Sequence, residues 1–449
     1  MPKISRTNWR LGIASRLIVS GAIALTGVLI SSFSGNHALA QITPDNTLPN
    51  NSVVPDGCIN CDITGGTQVG DNLFHSFEQF SIPTGGSAIF LNNDLSIENI
   101  LSRVTGGSIS NIDGLIQTLG TANFFLINPN GIIFGPNATL DIGGSFAATT
   151  ADGIQLGDNG LYSASDPGSS SLLTVNPSAF LFNQVATAQI TIQSNQAGVD
   201  LRVPTGENLW LVGGDVNVDN GILEAFGGRI EIGGLSEPGT VELNTNTGVV
   251  TFPDDIARAD VTITNESILN VGSQTANAGV IKITGGKISL TSGTQLSSST
   301  FGLGDAGVVG LFADSVVIDN STIFSTMEPE ATGEPGGILI QANSISLQNE
   351  AKLLAETRGI ADAGLVILQA TGSISLDNAE ISSNTSGVGR TGNILLQADN
   401  SVSVFMRILA INWYRSIRFQ GHFRVRSSTG TFTTTLGTCT EYATKAQAH

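Results

Sequence analysis

Gly336-Gly337-Ile338-Leu339-Ile340-Gln341-Ala342-Asn343-Ser344-Ile345-Ser346-Leu347 decides the fold, because variants of it recur through the second half of the chain. Glycines equivalent to Gly336 stand at Gly279, Gly307, Gly364 and Gly392, with spacings of 28, 29, 28 and 28 residues. Two residues after each anchor come Ile281, Val309, Ile338, Val366 and Ile394; four after come Ile283, Leu311, Ile340, Leu368 and Leu396. A second alternating pair follows: Ile288/Leu290, Val316/Ile318, Ile345/Leu347, Ile374/Leu376 and Val402/Val404. A third apolar site recurs as Leu296, Phe324, Leu353 and Ile381. Alternation with period two puts one set of side chains on one face of a strand. Each copy therefore reads as three short strands separated by Gly, Asn, Ser, Thr and Asp.

A single unit of this kind cannot bury its inward side chains, so copies must stack. Three strands and three turns per copy predict an all-β parallel β-helix. A propeller, which needs four antiparallel strands per blade, is the weaker alternative. At roughly 25–28 residues per coil and about 4.8 Å between strands, residues 41–404 predict some 13–15 coils and a rod about 65 Å long. A narrow aliphatic core fits an aromatic content of only 6%.

The 449 residues carry a formal charge of −18, unevenly placed. Lys3, Arg6, Arg10 and Arg16 are the charged residues of the first 40, and six bases against one acid follow Val404. Residues 41–404 hold 9 bases and 36 acids, a net of −27, which disfavours nucleic acid and anionic membrane surfaces as partners. Yet 40% of the chain is hydrophobic, too much for a disordered acidic chain.

A basic start, the apolar run from Leu17 to Ile30 and Ala38-Leu39-Ala40 read as a secretory signal over residues 1–40, leaving Gln41 as the first mature residue. The run is short and broken for a membrane anchor. Cys58-Ile59-Asn60-Cys61 reads as a small structural disulfide; a zinc site lacks further ligands, and a redox site lacks an adjoining βαβ pattern. Residues 41–160 form one region and 161–404 a repeat rod, periodic from 279. The tail 405–449, with Trp413-Tyr414-Arg415 and Arg424-Val425-Arg426, departs from the pattern. It reads as translation past a frame disruption or an atypical cap, of low order.

In the first half, Asn72-Leu73-Phe74-His75-Ser76-Phe77, Asn99-Ile100-Leu101-Ser102-Arg103-Val104-Thr105-Gly106-Gly107 and Ala122-Asn123-Phe124-Phe125-Leu126-Ile127 lead to Asn128-Pro129-Asn130-Gly131-Ile132. Gly143-Gly144-Ser145-Phe146-Ala147-Ala148-Thr149-Thr150-Ala151 follows. Asn, Pro and Gly at these positions favour a type I β-turn between two apolar strands, and on physical grounds alone a turn with no further role suffices.

These blocks, in this order over residues 45–155, resemble the N-terminal secretion domain of filamentous-haemagglutinin-like proteins, the exported partners of two-partner secretion systems, so that the resemblance implies such a domain over residues 41–160. The resemblance implies a right-handed β-helix. It further implies that periplasmic domains of an outer-membrane β-barrel transporter recognise the unfolded N-terminal domain, before the chain folds outside a Gram-negative-type cell. Asn128, Pro129, Asn130, Gly131 and Ile132 match the family's export motif; the second Asn-Pro-Asn-Leu element of some members has no counterpart. Stretches such as Gly206-Glu207-Asn208-Leu209-Trp210-Leu211 and Gly227-Gly228-Arg229-Ile230-Glu231-Ile232 resemble the downstream rod of these proteins.

Catalytic signals are weak. His75 is the only His between 41 and 404, no G-x-S-x-G elbow accompanies it, and it sits among Leu73, Phe74 and Phe77 as a packed residue would. Several-histidine zinc is excluded there, and Gly302-Leu303-Gly304-Asp305 is a lone fragment of a calcium repeat that reads better as a turn. Nine scattered bases form no lyase-like cluster. Asp254-Asp255 would point to opposite strand faces and reads as a solvated turn. The expectation is a non-enzymatic surface exoprotein or adhesin, without metal or cofactor, whose other partner would be a carbohydrate or protein of a host or cell surface. The alternatives are a β-helical carbohydrate-active enzyme and a truncated relic of a longer adhesin.

Overall fold

The computed structural model describes residues 40–92, 96–185, 188–195, 200–405, 423–427 and 433–434, the last two segments and Phe405 as backbone. The leader read at 1–40 lies outside the described residues except for Ala40, as does the low order read for 406–422, 428–432 and 435–449. Apart from one 3-10 turn at Pro167–Ser169, every regular element described is a strand.

The strands stack as a parallel β-helix. Its longest ladder joins Asn72–Ser81, Asn99–Val104, Asn123–Ile127, Phe146–Thr149, Asn208–Gly213, Arg229–Gly234, Val280–Leu290, Val308–Asp319, Gly337–Gln348, Leu365–Asp377, Ile394–Ala398 and Phe423–Ser427. These are twelve rungs, eleven of them within residues 41–404, where length and period predict 13–15 coils. Register explains the shortfall. From Asn72 to Asn99 to Asn123 the step is 27 and then 24 residues, and from Val280 to Val308 to Gly337 it is 28 and 29. Between Phe146 and Leu209 it is 63, and between Arg229 and Val280 it is 51. Those two long steps leave the helix and return.

The excursions build a separate antiparallel sheet ordered Gly160–Ser163, Gly153–Leu156, Pro177–Phe182, Gly239–Asn244 and Val249–Thr251. It covers the outer side of the first coils. Outward residues of the long ladder, Phe74, Leu101, Phe125, Ala147 and Trp210, are buried beneath Ile154, Tyr162, Phe180 and Val241. Sheets buried on both faces read as near-continuous apolar runs, which is why Phe124 to Ile127 and Leu209 to Val212 do not alternate. Gln41–Pro44 pairs antiparallel with Asn72–Ser81 and closes the N-terminal edge that a parallel stack would leave open.

Inside the helix, Phe77, Phe80, Phe90, Phe124, Phe134 and Phe146 fill the first coils, with ring centroids of Phe90 and Phe124 4.8 Å apart. Further along, the interior is aliphatic: Ile281, Val309, Ile338, Val366 and Ile394 stack in register, as do Ile283, Leu311, Ile340, Leu368 and Leu396. The third inward column is Leu296, Ile323, Leu353 and Ile381, not Phe324. Ile323 is fully buried whereas Phe324 pairs with Leu354 on the outside. Two adjacent apolar residues made both registers readable, and a slip of one reverses the face.

Turn residues stack too. Asn220, Asn265, Asn320, Asn349 and Asn378 take φ between 46° and 56° at the same corner, the left-handed region that Asn tolerates best after Gly. The anchor glycines serve another need: their φ is ordinary, but a Cβ on Gly307 would strike Gly279 O and Ser298 Oγ in the coil below. The ladder also passes Val404, where the repeat reads as ending. Phe423–Ser427 pairs with Ile394–Ala398, since Phe423 and Val425 stand 29 residues after Ile394 and Leu396. An irregular intervening sequence hides that spacing.

Candidate functional site

The Asn-Pro-Asn-Gly segment leaves the long ladder and turns into Ile132–Phe134 of the second ladder. Gly131 N–H donates to Asn128 O at 3.1 Å, closing the turn. Asn128 Oδ1 accepts from Asn130 N–H at 2.9 Å, the local bond that makes Asn favourable at such a position. Gly131 has φ 116°, which a side chain rarely adopts.

The turn is bolted to the coils on either side. Asn128 Nδ2 donates to Ser108 O (3.0 Å) and Ser110 Oγ (2.9 Å), and Asn130 Nδ2 to Gly106 O (2.7 Å), all in the preceding coil. Asn128 N–H donates to Thr149 O and Ile132 N–H to Gln189 O in the following one. Asn128 and Ile132 are fully buried, Pro129 is half-buried and Asn130 is exposed. Folding thus withdraws most of the five motif residues from any partner.

The other residues singled out from sequence lie apart from this turn. Cys58 and Cys61 are disulfide-bonded with Cα atoms 5.2 Å apart, and Cys61 faces the core. His75 is buried beside Phe77 and Phe90, with Nδ1 3.1 Å from Ser52 Oγ. Burial lowers its pKa to about 3, so the ring is neutral at ordinary pH. Asp254 and Asp255 are exposed in a turn, Asp254 paired with Arg258 at 3.5 Å. Among the described residues, no three His, Cys, Asp or Glu are placed to hold a metal ion.

Sequence reading passed over Arg103. It is completely buried and its guanidinium distributes four hydrogen bonds: Nε to Ser76 Oγ (2.7 Å), Nη1 to Ser163 O (2.6 Å) and Ser170 Oγ (2.7 Å), and Nη2 to Thr47 Oγ1 (2.8 Å). It also lies 4.5 Å over the Tyr162 ring. Ser76 Oγ donates onward to Asp45 Oδ2 at 2.6 Å, which Thr105 also approaches at 2.6 Å. Burial alone would raise the Asp45 carboxyl, but bonds from Ser76, Thr105 and Thr47 outweigh it and hold the group below its ordinary value. One guanidinium therefore ties together the N-terminal strand region, two coils and the covering sheet. The planar five-donor fork suits Arg to that task.

A second tie holds the far edge of the cover. Trp210 Nε1 donates to Gly248 O at 2.8 Å. Buried Glu231 pairs with Arg229 and, at 3.8 Å, with Lys282, whose Nζ donates to Val250 O at 2.7 Å. Burial pushes the Glu231 carboxyl up against the pull of Lys282 and Arg229. The edge strand Val249–Thr251 thus has its backbone met by side chains of the helix.

Two open polar grooves lie on the surface. One, about 600 Å³, lies along the asparagine corner at Asp219, Asn265 and Glu266, with Asp219 accepting from Asn265 Nδ2 at 2.7 Å. The other, about 540 Å³, crosses the outer face of the covering sheet near Ser178, Thr240 and Glu242. Ser178 Oγ in the second groove bonds the backbone carbonyls of Gln155 (3.3 Å) and Gly157 (3.2 Å).

Residues 40–290 match the family described as the TPS secretion domain, a span that includes both excursions. The fold is similar to the crystal structure of the HMW1 secretion domain from Haemophilus influenzae, with TM-score 0.54 and 16% identity over 88% of this chain and 100% of that one. The filamentous hemagglutinin secretion domain aligns with TM-score 0.36 and 16% identity, over 78% of this chain and 99% of that one. No curated protein matches the chain.

Proposed function

From the premise that the chain belongs to the TPS secretion domain family and is a filamentous-haemagglutinin-like two-partner secretion exoprotein, we propose that a dedicated outer-membrane β-barrel transporter recognises its N-terminal region unfolded. In this reading residues 1–40 direct passage to the periplasm and are removed. Asn128, Pro129, Asn130, Gly131 and Ile132 are then read by the transporter's periplasmic domains, and the rod folds outside the cell.

The observation that carries the reading is the burial of Asn128 and Ile132 between coils. A partner can reach those side chains only before the coils close. Mostly local contacts let a solenoid grow rung by rung as it emerges, and the acidic chain stays soluble meanwhile. The exposed rod would serve as a surface-displayed or released adhesin toward a carbohydrate or protein, and the site geometry favours a structural role over catalysis.

Fusing residues 1–290 ahead of a passive reporter tests sufficiency. The reporter is expected in the medium when the cognate transporter is co-expressed and in the periplasm when it is not. A reporter released equally in both strains would sink the proposal.

A further inference from the structure

The covering sheet stops at Val249–Thr251, where Glu231 and Lys282 occupy its edge, but the face it covers does not stop there. Beyond it, the outward column of the long ladder runs Lys282, Gly310, Leu339, Ile367, Leu395 in strict register. Val308 and Leu365, each 42% exposed, flank it on one side. Phe312 flanks it on the other, its ring lying over Gly310. A ladder of Gln341, Gln369 and Gln397 borders the strip, Gln341 Nε2 donating to Gln369 Oε1 at 2.6 Å.

This strip has the same chemistry as the covered face and an unusual charge. Residues 279–404 contain 12 acids and 5 bases, yet the outward positions of this ladder between 280 and 284 and their equivalents through residue 397 hold no acid and one base, Lys282, and the next rung continues the same columns with Arg424 and Arg426. Two copies of an acidic rod repel wherever carboxylates meet. Here they can approach without bringing carboxylates together.

We infer that this strip pairs with the same strip on a second copy of the chain, two sheets packing face to face about a two-fold axis. Five rungs by about five residues give roughly 24 by 16 Å, burying about 770 Å² over the two copies, below the ~1,200 Å² of ordinary stable interfaces. The pair is therefore weak and reversible, and held by apolar contact it resists salt.

Sedimentation of the purified protein at rising concentration, in low and high salt, tests this. The weight-average mass should climb toward twice the monomer in both. The combined variant Leu339→Gln, Ile367→Gln and Leu395→Gln should stay monomeric with an unchanged circular dichroism spectrum, because glutamine already occupies the adjacent column. Ile367→Gln alone, at the centre of the strip, carries the comparison if the triple variant misfolds. A wild type that remains monomeric, a pair that dissolves in salt, or glutamine variants that associate like wild type would each overturn the inference.

Discussion

Arg103 and His75 show how single buried groups hold the N-terminal coils, and both lend themselves to measurement. Replacing Arg103 by Ala strands Ser163 O and three hydroxyls, a loss of about 3 kcal/mol. Arg103→Lys keeps the charge but cannot span the fork, so hydrogen exchange should reveal faster opening of Gly160–Ser163 in both variants than in wild type. Unchanged protection there would remove Arg103 from its assigned role. His75 gives a pH signature. Its folded pKa of about 3 lies below the ordinary 6.5, so only the unfolded chain takes up its proton as pH falls between those values. Stability is then lost from near pH 6.5 downward, by roughly 2–3 kcal/mol over two pH units. Asp45, also depressed, acts lower: its contribution is intact above the ordinary carboxylate pKa and fades beneath it. Urea midpoints at pH 7 and 4.5 should therefore fall together less in His75→Gln than in wild type. The partners of Arg103 lie 27 to 67 residues away, so its importance was not legible locally. His75, set among apolar neighbours, was.

At the scale of the element, corner packing makes the rod. Gly307, Gly336 and Gly392 each abut a carbonyl of the preceding coil and a serine hydroxyl, Ser298, Ser325 and Ser383 in turn. Gly364 faces Ala355 instead, and a Cβ there would lie 2.7 Å from Gly336 O and 3.1 Å from Ala355 Cβ. Gly307→Ala should cost about 2 kcal/mol or more, and Gly364→Ala clearly less, when the two are compared by denaturant unfolding. Equal costs would mean that the serines do not tighten the corner. The period of 28 made these rungs readable because every anchor, inward pair and turn agrees with the same register. The excursions were not readable. Gly153–Leu156, Pro177–Phe182 and Gly239–Asn244 use the same alternation as the coils, and nothing local marks them as antiparallel. Ile323 beside Phe324 failed for a simpler reason, since either could face inward.

For the whole molecule, the parallel helix, its acidic exterior and its Asn-Pro-Asn-Gly turn were all visible in residue order, whereas the sheet that wraps the first coils emerged only from pairing. That wrapping matters to export. Asn128 is buried by coils on both sides, so the motif and the fold compete for the same side chains. Loss of the motif and loss of stability can nevertheless be separated. The direct measurement is release into the medium, with and without the cognate transporter, of wild type, of Asn128→Ala combined with Asn130→Ala, and of Arg103→Ala as a destabilised control with the motif intact. Wild type and Arg103→Ala should be released only with the transporter, and the double motif variant should be retained in the periplasm. Release independent of the transporter, or a double variant that escapes as readily as the control, would contradict recognition of the unfolded motif.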